Sequence, residues 1–498
     1  MTAFLNVERS LTGRRWIGPG LAVERQADLL EQATTLPRAL AQVLARRGVE
    51  AAEAQAFLEP KLRDLLPDPR QMRDMDKAAA RLLRALKAGE RIAIFADYDV
   101  DGGSSAALLI AWLRHFGRQA TLYVPDRIDE GYGPNEPAMA ALARDHDLIL
   151  CVDCGTLSHG PIAAARGADV VVLDHHLGGE TLPDAVAVVN PNRQDEDGAL
   201  GHLCAAAVVF LCLVEAGRQL REAGERGPDL MALLDLVALG TVADVAALHG
   251  LNRAFVSQGL KVMARRDNIG MAALIDASRL KRSPACSDLG FALGPRINAG
   301  GRVGESTLGV RLLTTRDPEE AREIAAQLSA LNEERRAIEA EVQEAAEAQL
   351  ASQHNRAVHL VAGEGWHPGV IGIVAGRIKE KTGKPSLVIA LDGDMGKGSG
   401  RSIAGVDLGA AIIRARDEGL LVAGGGHAMA AGLTVSADRI DALAEWLDST
   451  LEAQVARASA SREMALDLAV APGGLTPELV ESLEAAGPYG IGWPGPRV

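Results

Sequence analysis

Three carboxylates, Asp97, Asp99 and Asp101, stand at alternate positions in the stretch RIAIFADYDVDGGSS, residues 91–105. Like charges so close repel one another unless something positive offsets them, and hard divalent cations take carboxylate oxygens. More acids and imidazoles follow: Asp153 in CVDCG, Asp174-His175-His176 in LDHH, and Asp244 in LVALGTVADV. Carboxylates joined by one or two imidazoles suit Mn²⁺ or a similar ion better than a pure oxygen cage would. The set is too large for one ion, so it implies a pair of ions bridged by a shared carboxylate. One at a time, these residues have plainer readings. An aspartate-rich stretch makes a solvated turn, and an aspartate at a strand end caps a helix. Repetition at equivalent places is the argument for convergence.

Convergence needs elements that carry positions 97 to 244 to a common edge. From Arg91 the pattern alternates. Apolar runs predict strands over residues 92–96, 120–124, 148–152, 170–173 and 186–189, with helices over 105–116, 135–143 and 158–165. That order implies an α/β fold whose mostly parallel sheet is covered on both faces. Ligands in such sheets sit outside the carboxyl ends of the strands, where the acids and histidines fall. Residues 236–245 read as one more apolar run ending in a polar group, Asp244. Neither GxGxxG nor Gly-Lys-Ser/Thr follows a strand, so nucleotide-cofactor chemistry has no support. Upstream, residues 36–66 show helical spacing broken by Gly48 and Pro60, and residues 76–88 form an amphipathic helix closed by Gly89.

The 498 residues are too many for one ordinary core and predict two or three domains. No run approaches the ~20 apolar residues of a membrane span, and residues 205–214 read as a buried helix. The N-terminal residues show no secretory pattern. Five cysteines, an odd number, point to the reducing cytoplasm. The pair Cys151 and Cys154 lies at a strand end around Asp153, an unsuitable setting for redox or zinc chemistry. A net charge of −14 is the wrong sign for a surface coated in nucleic-acid contacts, so any such contact must be local. Aromatic residues are 3%, which leaves Tyr132 and Trp366 as candidates for base stacking.

The later chain adds positive charge among glycines. GPRINAGGR, residues 294–302, carries Arg296, Asn298 and Arg302 on what reads as a flexible backbone; Asn298 and Arg302 are candidates for phosphate oxygens. Residues 317–351 predict a long helix capped by Asp317, with Ile324, Leu328, Leu331, Ile338 and Val342 as one apolar stripe. Beyond it, strands over 357–361 and 386–390 and helices over 369–381 and 408–416 predict a second α/β domain. There Lys397, Arg401 and Ser402 lie in a predicted glycine-rich loop. Gly424, Gly425, Gly426 and His427 offer clustered N–H groups, as in an anion nest. Both features suit a terminal phosphate or the backbone of a strand.

The motifs DYDVDG, VDCG, DHH and GTVAD, in that order, resemble the DHH phosphoesterase superfamily, and within it the RecJ family of single-stranded-DNA-specific 5′→3′ exonucleases. WHPGVIGIVAGR at 366–377, GSGRSI at 398–403 and GGGHAMAAG at 424–432 extend the resemblance. It implies two divalent ions, Mn²⁺ or Mg²⁺, held by Asp97, Asp99, Asp101, Asp153, His175 and Asp244, with Asp153 as the bridge. His176 would face the scissile phosphate, Asp174 would orient His175, and Arg302 would offset charge on the phosphate. Arg296, Asn298, Lys397, Arg401, Ser402, Gly425, Gly426 and His427 would meet DNA. The implied layout is an N-terminal helical extension over 1–75, a DHH catalytic domain over 76–305 and a connecting helix over 306–355. A DHH-associated domain would follow over 356–460, then the start of an OB-fold over 461–498. The implied protein is a cytoplasmic monomer that takes single-stranded DNA and works with a helicase and a single-strand-binding protein, away from membranes. Two other readings stay open. One is a phosphodiesterase for oligoribonucleotides or cyclic dinucleotides. The other is a non-catalytic repair scaffold, against which stands the presence of every expected ligand.

Overall fold

Short apolar runs without polar alternation are suited to a sheet buried on both faces. The computed structural model, which describes residues 3–127, 129–353, 355–459 and 463–498, builds them into five parallel strands. These are β1 (Ile92–Ala96), β2 (Ala120–Tyr123), β3 (Leu148–Val152), β4 (Asp169–Leu173) and β5 (Ala187–Val189), in the order β2-β1-β3-β4-β5. Side chains alternate between two cores. Ile92, Ile94 and Ala96 face one, and Ala93 and Phe95 face the other with Met139, Leu142 and Ile162. The connecting helices are α1 (Val100–His115), α2 (Glu136–Asp145) and α3 (His159–Ala164). Helix α1 starts five residues before its predicted start. The Asp99 carboxylate caps it by accepting the backbone N–H groups of Asp101 and Gly102 at 2.8 and 3.2 Å.

The chain divides into two compact units, Gly18–Leu331 with Leu466–Val498, and Met1–Ile17 with Asn332–Ala465. Besides the sheet, the first holds α4 (Ala205–Glu222), α5 (Leu234–Ala243), α6 (Gly250–Met263) and α7 (Gly294–Val303). The apolar run 236–245, whose element type the sequence left open, lies mostly in helix α5, in which Leu234 to Thr241 are all buried. A continuous apolar run fits a core helix as well as a core strand, and periodicity cannot separate them. GPRINAGGR is likewise helix α7 rather than a flexible turn. Its glycines admit close packing: a Cβ on Gly301 would lie 2.9 Å from the Tyr98 carbonyl oxygen.

Helix α8 (Pro318–Leu350) runs through the boundary between units, capped by Asp317, which accepts the Glu319 N–H at 2.8 Å. Its apolar stripe is divided: Ile324 and Leu328 lie in the first unit's core, Val342 and Ala346 in the second's. The second unit's sheet has the order β9-β10-β8-β7-β6, from β6 (His359–Glu364), β7 (Ser386–Asp392), β8 (Met395–Arg401), β9 (Ala423–His427) and β10 (Ala430–Ser436). The glycine-rich stretch read as a loop and the one read as an anion nest therefore both form strands. In β8, Gly396, Gly398 and Gly400 are buried at alternate positions, where Ile389, Leu433 and Leu408 fill the space a side chain would need. Lys397, Ser399 and Arg401 share the opposite face. The stretch GGGH is edge strand β9, antiparallel to β10, and so forms no nest.

The terminal segment, expected as the start of an OB-fold, takes another form. Glu463–Ala465 pairs in parallel with Arg15–Ile17. Leu466–Val498 belongs to the first unit and contributes a helix, Pro477–Glu484, and an isolated bridge between Gly490 and Trp493. Among the described residues no helix is long and apolar enough to cross a membrane.

Candidate metal centre

Three of the predicted residues occupy the position just past a strand. Asp97 follows β1, Asp153 follows β3 and Asp174 follows β4, on three adjacent strands. Each N–H prolongs the ladder: Asp97 to the Val152 carbonyl at 3.3 Å, Asp153 to Leu173 at 3.0 Å, Asp174 to Val189 at 3.0 Å. Parallel pairing in this register sets the three carboxyl groups side by side. Asp99 and Asp101 sit at the first turn of α1, His175 and His176 follow Asp174, and Asp244 caps the C-terminus of α5. Three overlapping groups result: Asp97, Asp99 and Asp153; Asp101, His175 and Asp244; and Asp153, His175 and His176. Within each, donor atoms lie within 4.8 Å of one another.

Asp97, Asp101 and Asp153 are 3%, 0% and 2% exposed. Burial, and then the neighbouring carboxylates, push Asp97 and Asp153 far above the usual carboxylate range. Burial also raises Asp101, although the His175 charge opposes it. Asp244 is pushed up to about 9, by burial first and then by Asp101 and Asp99. Asp97 Oδ1, Asp153 Oδ1 and His175 Nε2 are buried with no hydrogen-bond partner. His175 Nε2 lies 3.3 Å from Asp153 Oδ1 and 3.8 Å from Asp101 Oδ2, and Nδ1 lies 3.8 Å from Asp244 Oδ2. A buried ion left uncompensated costs several kcal/mol, so so many acids around open donor atoms fit a divalent cation. Oxygen donors with one or two imidazoles suit Mn²⁺ and accommodate Mg²⁺.

The supports of these ligands are specific. Both Asp101 oxygens accept backbone N–H groups at the start of α4, from Ala205 at 2.6 Å and Ala206 at 2.9 Å. Helix α5 comes so close that a Cβ on Gly240 would stand 2.7 Å from Asp101 Oδ1. A Cβ on Gly102 would stand 2.4 Å from the Asp97 carbonyl oxygen, which explains glycine after the third acid. Asp153 has a left-handed backbone, φ 60°, a conformation that marks functional sites when held by its surroundings.

Asp174 differs from its expected role. Its carboxylate receives the His176 ring at Nδ1, 2.8 Å, and meets His175 only through that residue's backbone N–H, 2.7 Å. It therefore orients His176. Burial raises Asp174, but the His176 and Thr156 donors outweigh that and hold it well below the usual range. Burial correspondingly lowers His176, and the hydrogen bond and charge of Asp174 overcome it and raise its pKa. Tyr132, the stacking candidate, turns its hydroxyl inward, 2.9 Å from both the Asp153 carbonyl and His176 Nδ1. Two residues were missed in sequence: Asn190 Nδ2 donates to the His176 carbonyl at 2.7 Å, and Asn192 Nδ2 to the His175 carbonyl at 2.6 Å. Their signal was present, because NPN follows β5 as the acids follow theirs.

Other predicted residues are not gathered into these groups. Asn298 Oδ1 accepts the Val100 N–H at 3.1 Å, so it shares the capping of α1 with Asp99 and its amide Nδ2 is the group that could donate to a phosphate. Arg296 donates to the Ala292 carbonyl at 2.7 Å and to Ser329 at 3.3 Å. Arg302 lies on the same helix, and its charge reaches the Tyr98 hydroxyl. In the second unit Lys397 is exposed on β8, and Arg401 donates to Ser399 at 3.1 Å and to the Gly400 carbonyl at 2.9 Å. Ser402 is 1% exposed and donates to the Val406 carbonyl at 2.8 Å, which removes it from any DNA contact. Gly425, Gly426 and His427 pair with Gly432, Ala431 and Ala430, and His427 is exposed. Trp366 lies over Gly363, where a Cβ would meet its ring, and packs on the core of its own unit.

Residues 91–241 match the DHH family, N-terminal domain, and residues 354–453 match the DHHA1 domain. The chain is 42% identical to the single-stranded-DNA-specific exonuclease RecJ of Dickeya dadantii, over 93% of this chain and 83% of that protein. It is 38% identical to the RecJ of Escherichia coli, over 95% and 84%. Among solved structures it resembles RecJ from Thermus thermophilus in complex with Mn²⁺, with TM-score 0.78 and 32% identity, over 97% of this chain and 68% of that one.

Proposed function

The chain belongs to the RecJ family of the DHH superfamily, and on that premise we propose that it is a metal-dependent exonuclease. It would hydrolyse phosphodiester bonds of single-stranded DNA in the 5′→3′ direction and release mononucleotides, in repair and recombination. The observation that carries this reading is the convergence of seven acids and histidines from four separate segments on one sheet edge. Asp97, Asp99 and Asp153 would hold one divalent ion, and Asp101, His175, Asp244 and the shared Asp153 the other. When bound, such a pair of Mn²⁺ or Mg²⁺ ions activates a water and stabilises the leaving oxygen.

The chain's own groups supply the rest. Ionised Asp174 keeps a proton on His176 Nδ1, so in the cationic form Nε2 can donate to a phosphate oxygen. Arg302 adds fixed positive charge where the phosphate turns more negative. Exposed Lys397 on β8 and His427 on β9 would meet the strand backbone. The domain assignment goes with this reading: catalytic residues 76–305, connector 306–355 and an associated domain 356–460. The exposed single strand it needs would come from a helicase and be held by a single-strand-binding protein. Five free, buried thiols suit the reducing cytoplasm, and a monomer suffices, since one chain carries the whole ligand set.

The test is Asp153→Asn on end-labelled single-stranded and duplex DNA with Mn²⁺. Wild type should release mononucleotides from the 5′ end of single strands alone, and the variant should lose at least about 10³-fold in rate. Undiminished activity would discard this site. Cleavage of dinucleotides in preference to long strands would favour the oligonucleotide phosphodiesterase instead.

A further inference from the structure

Asp244 is the one candidate ligand on a segment that does not follow a strand of the sheet. It caps α5, and the next residue, Val245, adopts a left-handed backbone with φ 63°. A β-branched residue rarely takes that conformation and keeps it only where its surroundings enforce it. Part of the enforcement is local: the Ala246 N–H returns to the Thr241 carbonyl at 3.1 Å. The remainder comes from a segment some 240 positions later. The Leu248 N–H donates to the Ile491 carbonyl at 2.8 Å, and Leu248 is 2% exposed. Gly490 and Gly492 lie against Leu248 and Ala247, so closely that a Cβ on Gly490 would be 2.7 Å from Leu248 Cδ1. Asn252, fully buried, ties down the same loop by donating to the Ala247 carbonyl at 3.1 Å.

A buried arginine fastens the start of the segment 486–493, and Arg47 stacks on its Trp493 ring at 4.6 Å. Arg253 is 1% exposed and donates to the carbonyls of Ala486 at 2.8 Å, Gly487 at 2.5 Å and Pro488 at 3.1 Å, and to Phe57 at 3.0 Å. Its guanidinium lies 4.0 Å from the Phe57 ring centroid and 5.5 Å from that of Trp493. Trp493 in turn donates to the Ala486 carbonyl at 2.8 Å. Arginine's planar guanidinium offers five donors in fixed directions, against three on the compact ammonium of a lysine, and so reaches carbonyls this widely spread.

We propose that the GPYGIGWP segment is a strap, fastened by Arg253 and lying on residues 247–248, that positions Asp244 for its cation. The family resemblance makes this segment the start of an OB-fold. The contacts assign it a task inside the catalytic unit, and Arg253, Gly490 and Trp493 become positioning residues for the metal centre. This rests on Asp244 being a ligand.

The experiment measures Mn²⁺ binding to the full-length apo protein, by the electron paramagnetic resonance signal of free Mn²⁺, together with thermal midpoint. Four variants are compared with wild type: Gly490→Ala, Arg253→Lys, Asp244→Asn and Leu82→Ala. Leu82→Ala removes a buried side chain remote from the strap and serves as the control for stability alone. Gly490→Ala and Arg253→Lys should each weaken the Asp244-side Mn²⁺ about ten-fold or more, at a thermal loss no greater than that of the control, which should bind as wild type does. Gly490→Ala keeps the test open should Arg253→Lys fail to fold. Strap variants that bind Mn²⁺ as tightly as wild type, while Asp244→Asn does not, would overturn the strap. Wild-type binding by Asp244→Asn would instead overturn Asp244 as a ligand.

Discussion

The edge of the parallel sheet and the glycine-rich face of the second sheet pose the same problem and solve it differently. Each gathers side chains that are distant in sequence. At the first, Asp97, Asp153 and Asp174 are placed by strand register and buried, and backbone N–H groups fix the carboxylates of Asp99, Asp101 and Asp174. At the second, Lys397 and His427 stand on an exposed face, and the neighbouring glycines serve packing beneath them. The lesson is that rigidity follows the chemistry asked of a site. Caging cations tolerates little displacement, whereas a long-range contact to a phosphate chain tolerates much.

The contrast can be broken most severely at the buried edge. Gly102→Ala and Gly240→Ala alter no ligand, yet each would force the first turn of α1 or helix α5 away from an Asp. Nuclease rate should fall by about 10²-fold or more. A loss below two-fold would show that the edge is less rigid than its packing implies.

Acidity sharpens the comparison next, since the edge concentrates carboxylates raised by burial. Asp244 ordinarily ionises near 3.8 and is raised to about 9 in the fold. Between those values the native protein keeps a proton that the unfolded chain has released, so stability falls as pH rises. Asp97, Asp101 and Asp153, all shifted upward, act in the same sense. In chelator the thermal midpoint should therefore drop from about pH 5 to about pH 8, and Mn²⁺ should restore it by taking the protons' place. A midpoint that rises over this range, or ignores Mn²⁺, would contradict the caged-cation reading.

The open face should respond more gently. Lys397→Ala should raise KM for single-stranded DNA about five-fold, leave kcat unchanged, and reduce the salt dependence of binding by about 0.7 on a log–log plot. A fall in kcat would mean that this face takes part in the chemistry. The smallest effect belongs to Ser402→Ala. It should cost about 1 kcal/mol of stability through the lost bond to Val406 and leave KM untouched, which a titration of initial rates against DNA would establish.

Sequence alone determined the parallel sheet, the identity of its strands and the residues that cluster beyond their ends. A buried strand of five residues has a strong local signature, and parallel pairing turns positions along the chain into positions along an edge. The same rule could have found Asn190 and Asn192, which the sequence reading missed. Only the tertiary structure decided the rest. Whether 236–245 was strand or helix depended on what surrounds it, because an apolar run has no face of its own. Lys397 came to lie in a strand because the alternate glycines of β8 pack against Ile389, Leu433 and Leu408, side chains from elsewhere in the chain. Asp174 came to orient His176 because the turn after β4 folds that ring back upon it. The partner of the Asp244 loop arrives from residues 486–493, held by carbonyls that carry no trace in side-chain identity. Contacts made by backbone atoms, and by space that must stay empty, exist only once the chain has closed on itself.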